Sequence, residues 1–251
     1  MEYPEIMSKN YVNVDDVFSL SSGSSASLYD WNRDTNWLSV GSNDGVNETI
    51  EITFYEGSDT INRTFDRFIV LDTNIKDFYL EYYDGSWHTI AATDLDANAD
   101  SNIYISFASV TASKVRFNML KTITPNEDKY ISELIIALST YQLVDLLSTR
   151  KRNDIAQEIS LRLGTGMLKK ERFYSKYAQD ISLEFTSKTQ RNSLKDIYNA
   201  NDPFIFIWSA DDLDDDEGGI YYVIWEGGWE QEQVYKGSHI TYEITMRLRE
   251  V

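Results

Sequence analysis

The chain has 251 residues, of which 42% are hydrophobic and 14% aromatic, enough apolar material for one large or two ordinary packed domains. Its formal net charge of −18 argues against direct binding to nucleic acid, whose phosphates attract lysine and arginine. It contains no cysteine, which excludes disulfides, thiolate zinc sites and cysteine nucleophiles.

The amino terminus is polar and lacks the basic start and apolar run of a signal peptide. No later apolar stretch approaches the ~20 residues that span a bilayer. We therefore expect synthesis in the cytosol and no membrane insertion. Such a protein could still leave a cell as part of a larger particle.

Residues 1–20 are predicted to form an extended arm, followed by a loop rich in serine and glycine. Residues 30–37, D-W-N-R-D-T-N-W, then crowd polar oxygens into a short stretch. Such a stretch predicts a rigid loop folded around its own polar groups or around a hard cation. Alternation of apolar and polar residues next predicts short strands at 49–55, 67–71, 78–83, 87–90, 103–107, 114–120 and 131–138.

These strands predict a mainly β chain that begins with a jelly-roll β-sandwich over residues 1–138. The order of four motifs resembles that of the discoidin or coagulation-factor type C domains, also called galactose-binding-like domains. The resemblance covers roughly residues 10–138. It rests on D-W-N-R-D-T-N-W at 30–37, Y-Y-D-G-S-W at 82–87, K-V-R-F at 114–117 and I-S-E-L at 131–134.

In many members of that family, the aspartate-rich loop and the late glutamate hold a structural calcium ion. The resemblance implies hard oxygen ligands of the kind that calcium prefers, and by position these are Asp30, Asn32, Thr35 and Glu133. Trp31 and Asn32 depart from the glycine and aspartate of the family motif. In a second interpretation, Asp30 and Thr35 only cap the loop through side-chain to backbone hydrogen bonds.

The family also uses loops at one end of the sandwich to bind sugars or lipid head groups. A sugar site needs an aromatic plate with neighbouring hydrogen-bond donors and acceptors. Tyr83, Trp87 and His88 are the candidates for carbohydrate binding in this sequence. Alternatively, Trp87 belongs to the core, and His88 has no obvious carboxylate partner in the sequence.

Residues 139–153 are predicted to be a partly helical linker, because Leu143, Leu146 and Leu147 have helix-compatible spacing. The linker ends in a basic cluster, residues 150–152, which would either dock on an acidic partner or form a solvated face. Residues 154–251 then predict a smaller α+β domain in which one helix covers a sheet.

The expected elements of this second domain are strands at 156–163, 180–185, 204–208, 221–225 and 241–248, and a helix at about 187–200. Residues 169–177 are predicted to form an exposed hairpin or long loop. The acidic stretch 211–217 is predicted to be a solvated hairpin tip, because Glu217 and Val223 stand where an EF-hand needs glycine and glutamate.

This layout resembles that of bacteriophage tail structural proteins, whose tail-tube and distal-tail domains are β-sandwiches with one flanking helix. In those proteins, long hairpins pair between subunits into rings. The resemblance covers residues 154–251. It rests on the order of the exposed loop, D-I-S-L-E-F, the helix, D-P-F-I-F-I-W and the closing T-Y-E-I-T-M-R-L-R-E-V.

Catalysis has little support in the sequence, because its two histidines, His88 and His239, fall in different predicted domains and no nucleophile elbow or Walker loop is present. We expect a non-enzymatic virion protein, a tail, baseplate or neck component that forms a ring with copies of itself and contacts other virion proteins. Its jelly roll would adhere to neighbours or to a cell-surface glycan. The alternative is a free carbohydrate-binding protein with an accessory domain.

Overall fold

The computed structural model describes residues 3–40, 44–143, 146–152, 155–162, 168–176, 178–185, 188–209, 219–236 and 239–251. The chain is mainly β, with one α-helix and several sheets, as the sequence predicts. It divides into two compact domains. We call Ser8–Ser139 the inserted domain, and we call the combination of Met1–Met7 and Thr140–Val251 the host domain.

The strands are numbered in chain order. They are β1 (Glu5–Met7), β2 (Val17–Leu20), β3 (Trp37–Leu38), β4 (Glu48–Thr53), β5 (Tyr55–Glu56), β6 (Asp59–Thr60), β7 (Arg63–Thr73), β8 (Ile75–Tyr83), β9 (Trp87–Thr89), β10 (Ile103–Ala112), β11 (Lys114–Thr122), β12 (Tyr130–Ala137), β13 (Ser139–Gln142), β14 (Leu146–Arg152), β15 (Ile155–Arg162), β16 (Leu168–Lys176), β17 (Ala178–Phe185), β18 (Phe204–Ile207), β19 (Ile220–Trp225), β20 (Glu230–Lys236) and β21 (His239–Glu250). The helix α1 is Lys188–Ala200, and two 3₁₀ turns lie at Ala26–Leu28 and Ala91–Thr93.

The inserted domain is a sandwich of two antiparallel sheets. One sheet has the order β10-β7-β12-β3, and the other has the order β2-β4-β11-β8-β9. Alternation produces this architecture: along β4, Ile50 and Ile52 are buried, whereas their polar neighbours are only partly buried. The core between the sheets contains a cluster of aromatic rings, in which Phe117 lies 5.0 Å from Phe68 and 5.6 Å from Phe78 between ring centroids.

Two turns of this domain contain a residue with positive φ. Gly85, in the Asp84-Gly85 turn between β8 and β9, has φ +129°, a conformation that favours glycine. Asn126, after Pro125, has φ +66°, which asparagine tolerates better than most residues.

The host domain contains an eight-stranded sheet with the path β13-β1-β18-β19-β21-β17-β14, and β20 also pairs with β21. Its core includes Ile181, Phe206 and Met246, and α1 contributes the buried Leu194. Ile197 and Tyr198 of α1 pack against the same core, so the helix covers the sheet as predicted. The helix ends before Asn201, whose φ of +52° is a common way to terminate a helix.

The structure differs from the predicted layout at both ends of the first domain. Residues 1–20, predicted to be an extended arm, divide between the two domains, because β1 pairs antiparallel with β18 of the host sheet and β2 pairs with β4 of the inserted domain. The linker predicted to be partly helical at 139–153 instead forms β13 and β14 where the structure describes it. The two domains are therefore nested along the chain instead of following one another, since the inserted domain interrupts the host domain between β1 and β13.

The predicted hairpin or loop at 169–177 falls largely on β16, which pairs antiparallel with β15. β14 pairs with β17 from Arg152↔Gln179, and β15 pairs with β16 from Ile155↔Lys176, so the second pairing continues the register of the first. In the part of the chain that the structure describes, β15 and β16 pair only with each other. We call β15 and β16 the arm.

The acidic stretch at 211–217, predicted to be a solvated hairpin tip, lies outside the described residues. Of the helices in the described ranges, none has the length and apolar character needed to cross a membrane.

The nested topology predicts that the inserted domain is removable. Thr140 Oγ1 donates a hydrogen bond to the Ile6 carbonyl at 2.8 Å, and the Leu143 amide donates to the Pro4 carbonyl at 2.8 Å. The chain thus leaves and re-enters the host domain at adjacent points. We expect a variant in which a short Gly-Ser linker replaces residues 8–139 to retain the cooperative thermal unfolding of the host domain in calorimetry.

The matched variant deletes residues 1–7 and keeps the insert. It loses Ile6 and Met7, whose side chains are fully buried, and each such loss costs about 2–5 kcal/mol. We expect its host transition to move sharply to lower temperature or to disappear. An unchanged host transition after this deletion would contradict the assignment of β1 to the host sheet.

Candidate functional site

The Asp30 loop is closed by hydrogen bonds among its own side chains. Asp30 Oδ1 accepts from the Asn32 amide at 3.0 Å, and Asp30 Oδ2 accepts from Thr35 Oγ1 at 2.7 Å. Asn32 Oδ1 accepts from the Asp34 amide at 3.1 Å. These bonds are the self-capping that the second interpretation predicts, and they leave the loop with a fixed set of oxygen atoms.

Arg33 ties this loop to two strands of the sandwich. Its Nε lies 3.0 Å from Asp72 Oδ2, and its Nη2 donates to Asn102 Oδ1 at 3.2 Å. The Asn102 oxygen also accepts from the Asp72 amide at 2.9 Å. The loop therefore connects the end of β7 with the residue that precedes β10.

The two tryptophans of the loop have different roles. Trp37 is a core residue, because its side chain is buried and its Nε1 donates to the Ser22 carbonyl at 2.9 Å. Any side chain at Gly23 would meet that ring, since a Cβ there would lie 2.6 Å from Trp37 Nε1. Trp31 has φ +56°, a left-handed conformation that glycine adopts freely and that costs other residues about 1–2 kcal/mol.

Glu133 is the deepest carboxylate at this site. Only 1% of its surface is exposed, and neither carboxylate oxygen has a hydrogen-bond partner of good geometry among the described residues. Burial first and the nearby negative charge of Asp30 second together raise the pKa of Glu133 to about 8, against the lowering effect of the Trp31 and Asn32 amides. The structure thus brings together the loop and the late glutamate that the sequence pairs.

This donor set fits a hard cation. Unsatisfied buried carboxylate oxygens are costly, and a calcium ion bound by Glu133 and the loop oxygens of Asp30, Asn32 and Thr35 would satisfy them. Among the described residues, no cluster of three or more acidic, histidine or cysteine side chains is placed to hold a metal. A calcium site here would therefore depend on Asn32, Thr35 and backbone oxygens as well as on the two carboxylates.

The second candidate site lies on the outer face of the β2-β4-β11-β8-β9 sheet. Register places Lys114, Tyr83 and Trp87 side by side on β11, β8 and β9. The next row on the same face contains Arg116, Glu81 and Thr89. The first row contains two aromatic rings beside Lys114, and the second contains the charged residues Arg116 and Glu81 beside Thr89. Tyr83 and Trp87 are both partly exposed.

Contacts join these two rows. The ring centroids of Tyr83 and Trp87 are 5.3 Å apart, and the Arg116 guanidinium lies 4.2 Å from the centre of the Trp87 ring. Lys114 Nζ lies 5.8 Å from the Tyr83 ring. Such cation–π contacts hold aromatic rings in place at a surface. We call Tyr83, Trp87, Arg116 and Glu81 the aromatic face.

His88 does not join the aromatic face. Adjacent residues of a strand point to opposite sides of the sheet, and His88 stacks on Tyr82 with ring centroids 5.3 Å apart. His88 Nε2 contacts Asp84 Oδ1 at 3.0 Å and Ser86 Oγ at 2.9 Å. The histidine therefore has a carboxylate partner after all, although the predicted trio is divided between two faces.

No feature of the sequence marks Glu81 and Arg116 as binding residues. The available signal was alternation: residues 79, 81 and 83 must share one side of β8, and residues 114, 116 and 118 must share one side of β11. What the sequence could not supply was the antiparallel register that sets Arg116 opposite Glu81.

Comparisons with known proteins bear on the fold alone. No known family profile and no curated protein matches the sequence. Similar solved structures include the Clostridium perfringens module CpGH89CBM32-6, with 17% identity and a TM-score of 0.41 over 53% of this chain and 99% of that one. A chitosan-binding module 2 from Paenibacillus sp. IK-5, solved with chitotriose, shows 16% identity and a TM-score of 0.41, covering 49% of this chain and 96% of that chain.

A third similar structure is a GH29 fucosidase mutant from Ruminococcus gnavus, solved with fucose, at 16% identity and a TM-score of 0.43. The match covers 53% of this chain but only 27% of the fucosidase. The first two are carbohydrate-binding modules, and none of the three is a phage tail protein.

The buried Glu133 predicts an unusual dependence of stability on pH. Its pKa is raised from 4.5 to about 8, so the folded state holds a proton that the unfolded state releases. Without metal, the stability contributed by this group is complete below pH 4.5 and is lost as the pH rises toward 8. We expect urea denaturation in EDTA to show a decline on the order of a few kcal/mol between pH 5 and pH 8, and Glu133→Gln to flatten it.

Calcium should reverse this effect at pH 8, because it binds the ionised carboxylate of the folded state. Millimolar calcium is expected to raise the melting temperature of the wild type and not that of Glu133→Gln. Glu48→Gln is the matched control, since Glu48 is also buried but accepts hydrogen bonds from Ser21 and Ser22. An equal calcium response in wild type and Glu133→Gln would rule out the metal site.

Proposed function

We propose that the inserted domain binds carbohydrate through the aromatic face and that the chain acts as a binding protein without catalysing a reaction. The observation that carries the proposal is the pair of partly exposed rings, Tyr83 and Trp87, 5.3 Å apart beside the Arg116–Glu81 ion pair. Sugars present both an apolar face and hydroxyl groups. A surface that combines aromatic rings with fixed polar groups complements both.

The polar groups of this face are held by the sheet and are not carried on free loops. Arg116 Nη2 lies 2.8 Å from Glu81 Oε2, and only 29% and 14% of these two side chains are exposed. Because their positions are fixed before a ligand arrives, little conformational entropy is lost on binding. This preorganisation favours a binding role.

A hydrolytic role for Ser86, His88 and Asp84 has poor geometry. In a serine–histidine–aspartate triad, the serine and the aspartate contact different nitrogens of the imidazole ring. Here both contact Nε2 of His88, so Asp84 does not orient the imidazole through Nδ1 and does not leave Nε2 free to take the serine proton. This arrangement supports a non-enzymatic role for the β8–β9 hairpin.

Calcium has a structural role in this proposal. Asp30, Asn32, Thr35 and Glu133 would hold the ion, which supplies positive charge to the buried carboxylate and fixes the loop against β12. The aromatic face belongs to the other sheet of the sandwich, so the ion is not proposed to contact the sugar.

A second candidate function is assembly with copies of itself, as a virion component of a tail, baseplate or neck would require. The observation that favours it is the arm, which pairs with no other strand among the described residues. An isolated two-stranded hairpin is marginally stable in water, and its open edges invite a further strand. A neighbouring copy would supply that strand by β-augmentation.

Carbohydrate binding is tested by truncating the rings. We expect Trp87→Ala and Tyr83→Ala each to weaken binding of the full chain to its strongest hit on a glycan array by roughly tenfold or more, since stacking contributes about 1–3 kcal/mol in comparable ring contacts. His88→Ala is the matched control from the other face of the same hairpin and should bind normally. If binding survives both ring truncations, the carbohydrate site does not lie on the aromatic face.

Assembly is tested separately by light scattering. We expect the wild type to form an oligomer, and a variant with a tight turn in place of residues 155–176 to be a monomer with an unchanged host-domain melting temperature. A wild-type chain that stays monomeric at high concentration would remove the second candidate and leave the first intact.

A further inference from the structure

We infer that Arg116 and Glu81 act together as a receptor for two adjacent hydroxyl groups and select neutral sugars over charged ones. The inference rests on the proposed carbohydrate function and adds its specificity. The sequence points only to Tyr83, Trp87 and His88 as contacts, whereas the geometry assigns recognition to the neighbouring row that contains Arg116 and Glu81.

The pair is held from several sides. Glu81 Oε2 accepts from Arg116 Nε at 2.9 Å and from Asn118 Nδ2 at 2.9 Å, in addition to its contact with Arg116 Nη2. Asn118 is only 3% exposed, so its side-chain amide holds the Glu81 carboxylate from a buried position. Trp87 covers one side of the guanidinium, 4.2 Å away. Neither charged side chain can turn freely.

All of these bonds use one edge of each group. Within the described residues, Glu81 Oε1 and Arg116 Nη1 make no hydrogen bond. The pair therefore retains one unused acceptor, Glu81 Oε1, and one unused donor nitrogen, Arg116 Nη1, in fixed positions on a partly exposed surface. Since a hydroxyl group both donates and accepts, two adjacent hydroxyls on a sugar ring would match such a pair.

The aromatic rings place the sugar where this matching is useful. Tyr83 and Trp87 occupy the row directly beside Arg116 and Glu81 on the same sheet face. A pyranose packed against these rings would direct equatorial hydroxyls outward from its edge, toward the neighbouring row. Rings and ion pair thus recognise different parts of one ligand, its apolar face and its hydroxyls.

Charge decides between neutral and acidic sugars. The positive charge of Arg116 is neutralised by Glu81, and Lys114 Nζ lies 3.7 Å from Glu51 Oε1. The whole chain has a net charge of −18, which repels anions at long range. A sialylated, uronic or sulfated glycan would meet no uncompensated cation here, so a neutral glycan is the better ligand.

The same sheet contains a matched control pair. Lys121 Nζ lies 2.9 Å from Asp77 Oδ2, and this ion pair also joins β11 to β8. In the described contacts, neither of its residues touches an aromatic ring. Removing it should cost a surface ion pair without altering the aromatic face.

The experiment uses the full chain on an array of neutral, sialylated and sulfated glycans, followed by calorimetric titration of the best neutral hit and its monodeoxy analogues. Arg116→Lys keeps the charge above Trp87 but loses the planar fork, and Glu81→Gln keeps the shape but loses the charge. We expect each to bind the hit about 10- to 100-fold more weakly, because a hydrogen bond to a charged group contributes about 1.5–3 kcal/mol. Asp77→Asn and Lys121→Gln should stay within about twofold of wild type, as expected for an exposed ion pair.

A merely structural role for the pair would not change selectivity. We therefore expect the wild type to discriminate against the deoxy analogue that lacks one recognised hydroxyl, and Arg116→Lys to bind hit and analogue alike. Melting temperatures of all variants confirm that they are folded. Normal binding and selectivity in Arg116→Lys and Glu81→Gln, with loss in Trp87→Ala, would overturn this inference and keep carbohydrate binding.

Two other results also decide the matter. Hits confined to sialylated or sulfated glycans would overturn the neutral-sugar specificity while supporting carbohydrate binding. An array without any hit would overturn the proposed function, and this inference with it.

Discussion

Side-chain alternation along β8 and β11 is the constraint on which both the core and the aromatic face depend. Phe78 and Leu80 on β8, with Phe117 on β11, are buried between the sheets. The residues that alternate with these buried ones along each strand, including Glu81 and Arg116, must then point outward. Because a shift of one residue in register would exchange the two sets, burial of the phenylalanine rings also fixes the position of the ion pair. The polar surface is thus as precisely placed as the core.

Much of the fold could be predicted because its signals are local. Period-two alternation located the strands of the sandwich, and the Asn201-Asp202-Pro203 sequence located the end of α1. The nested topology could not be predicted, since the pairing of β1 with β18 joins residues that are far apart in the chain. β14 was mistaken for a helix because Leu143, Leu146 and Leu147 satisfy helical spacing, and pairing with β17 overrides that preference.

The candidate sites show the same difference between local signals, which the sequence carries, and pairings between distant residues, which it does not. The resemblance pairs Asp30 with Glu133, and in the structure the charge of Asp30 acts on the Glu133 carboxyl. The resemblance could not show that the loop caps itself or that Trp31 has a positive φ. The sequence could have predicted that Trp87 and His88 lie on opposite faces, because neighbours on a strand alternate. It could not have predicted the ion pair of Glu81 with Arg116, because that pair depends on the register between strands.

The nested arrangement has a consequence for the order of events during synthesis. β1 is translated first, yet its partner β18 is made only after the whole inserted domain and most of the host sheet. The inserted domain holds its own core and is complete well before that point, and domains generally fold as units while the ribosome is still at work. The host domain, in contrast, must close a very long loop to place its first strand, which slows folding. Until β18 has been made, the apolar residues Ile6 and Met7 have no partner strand in the host sheet.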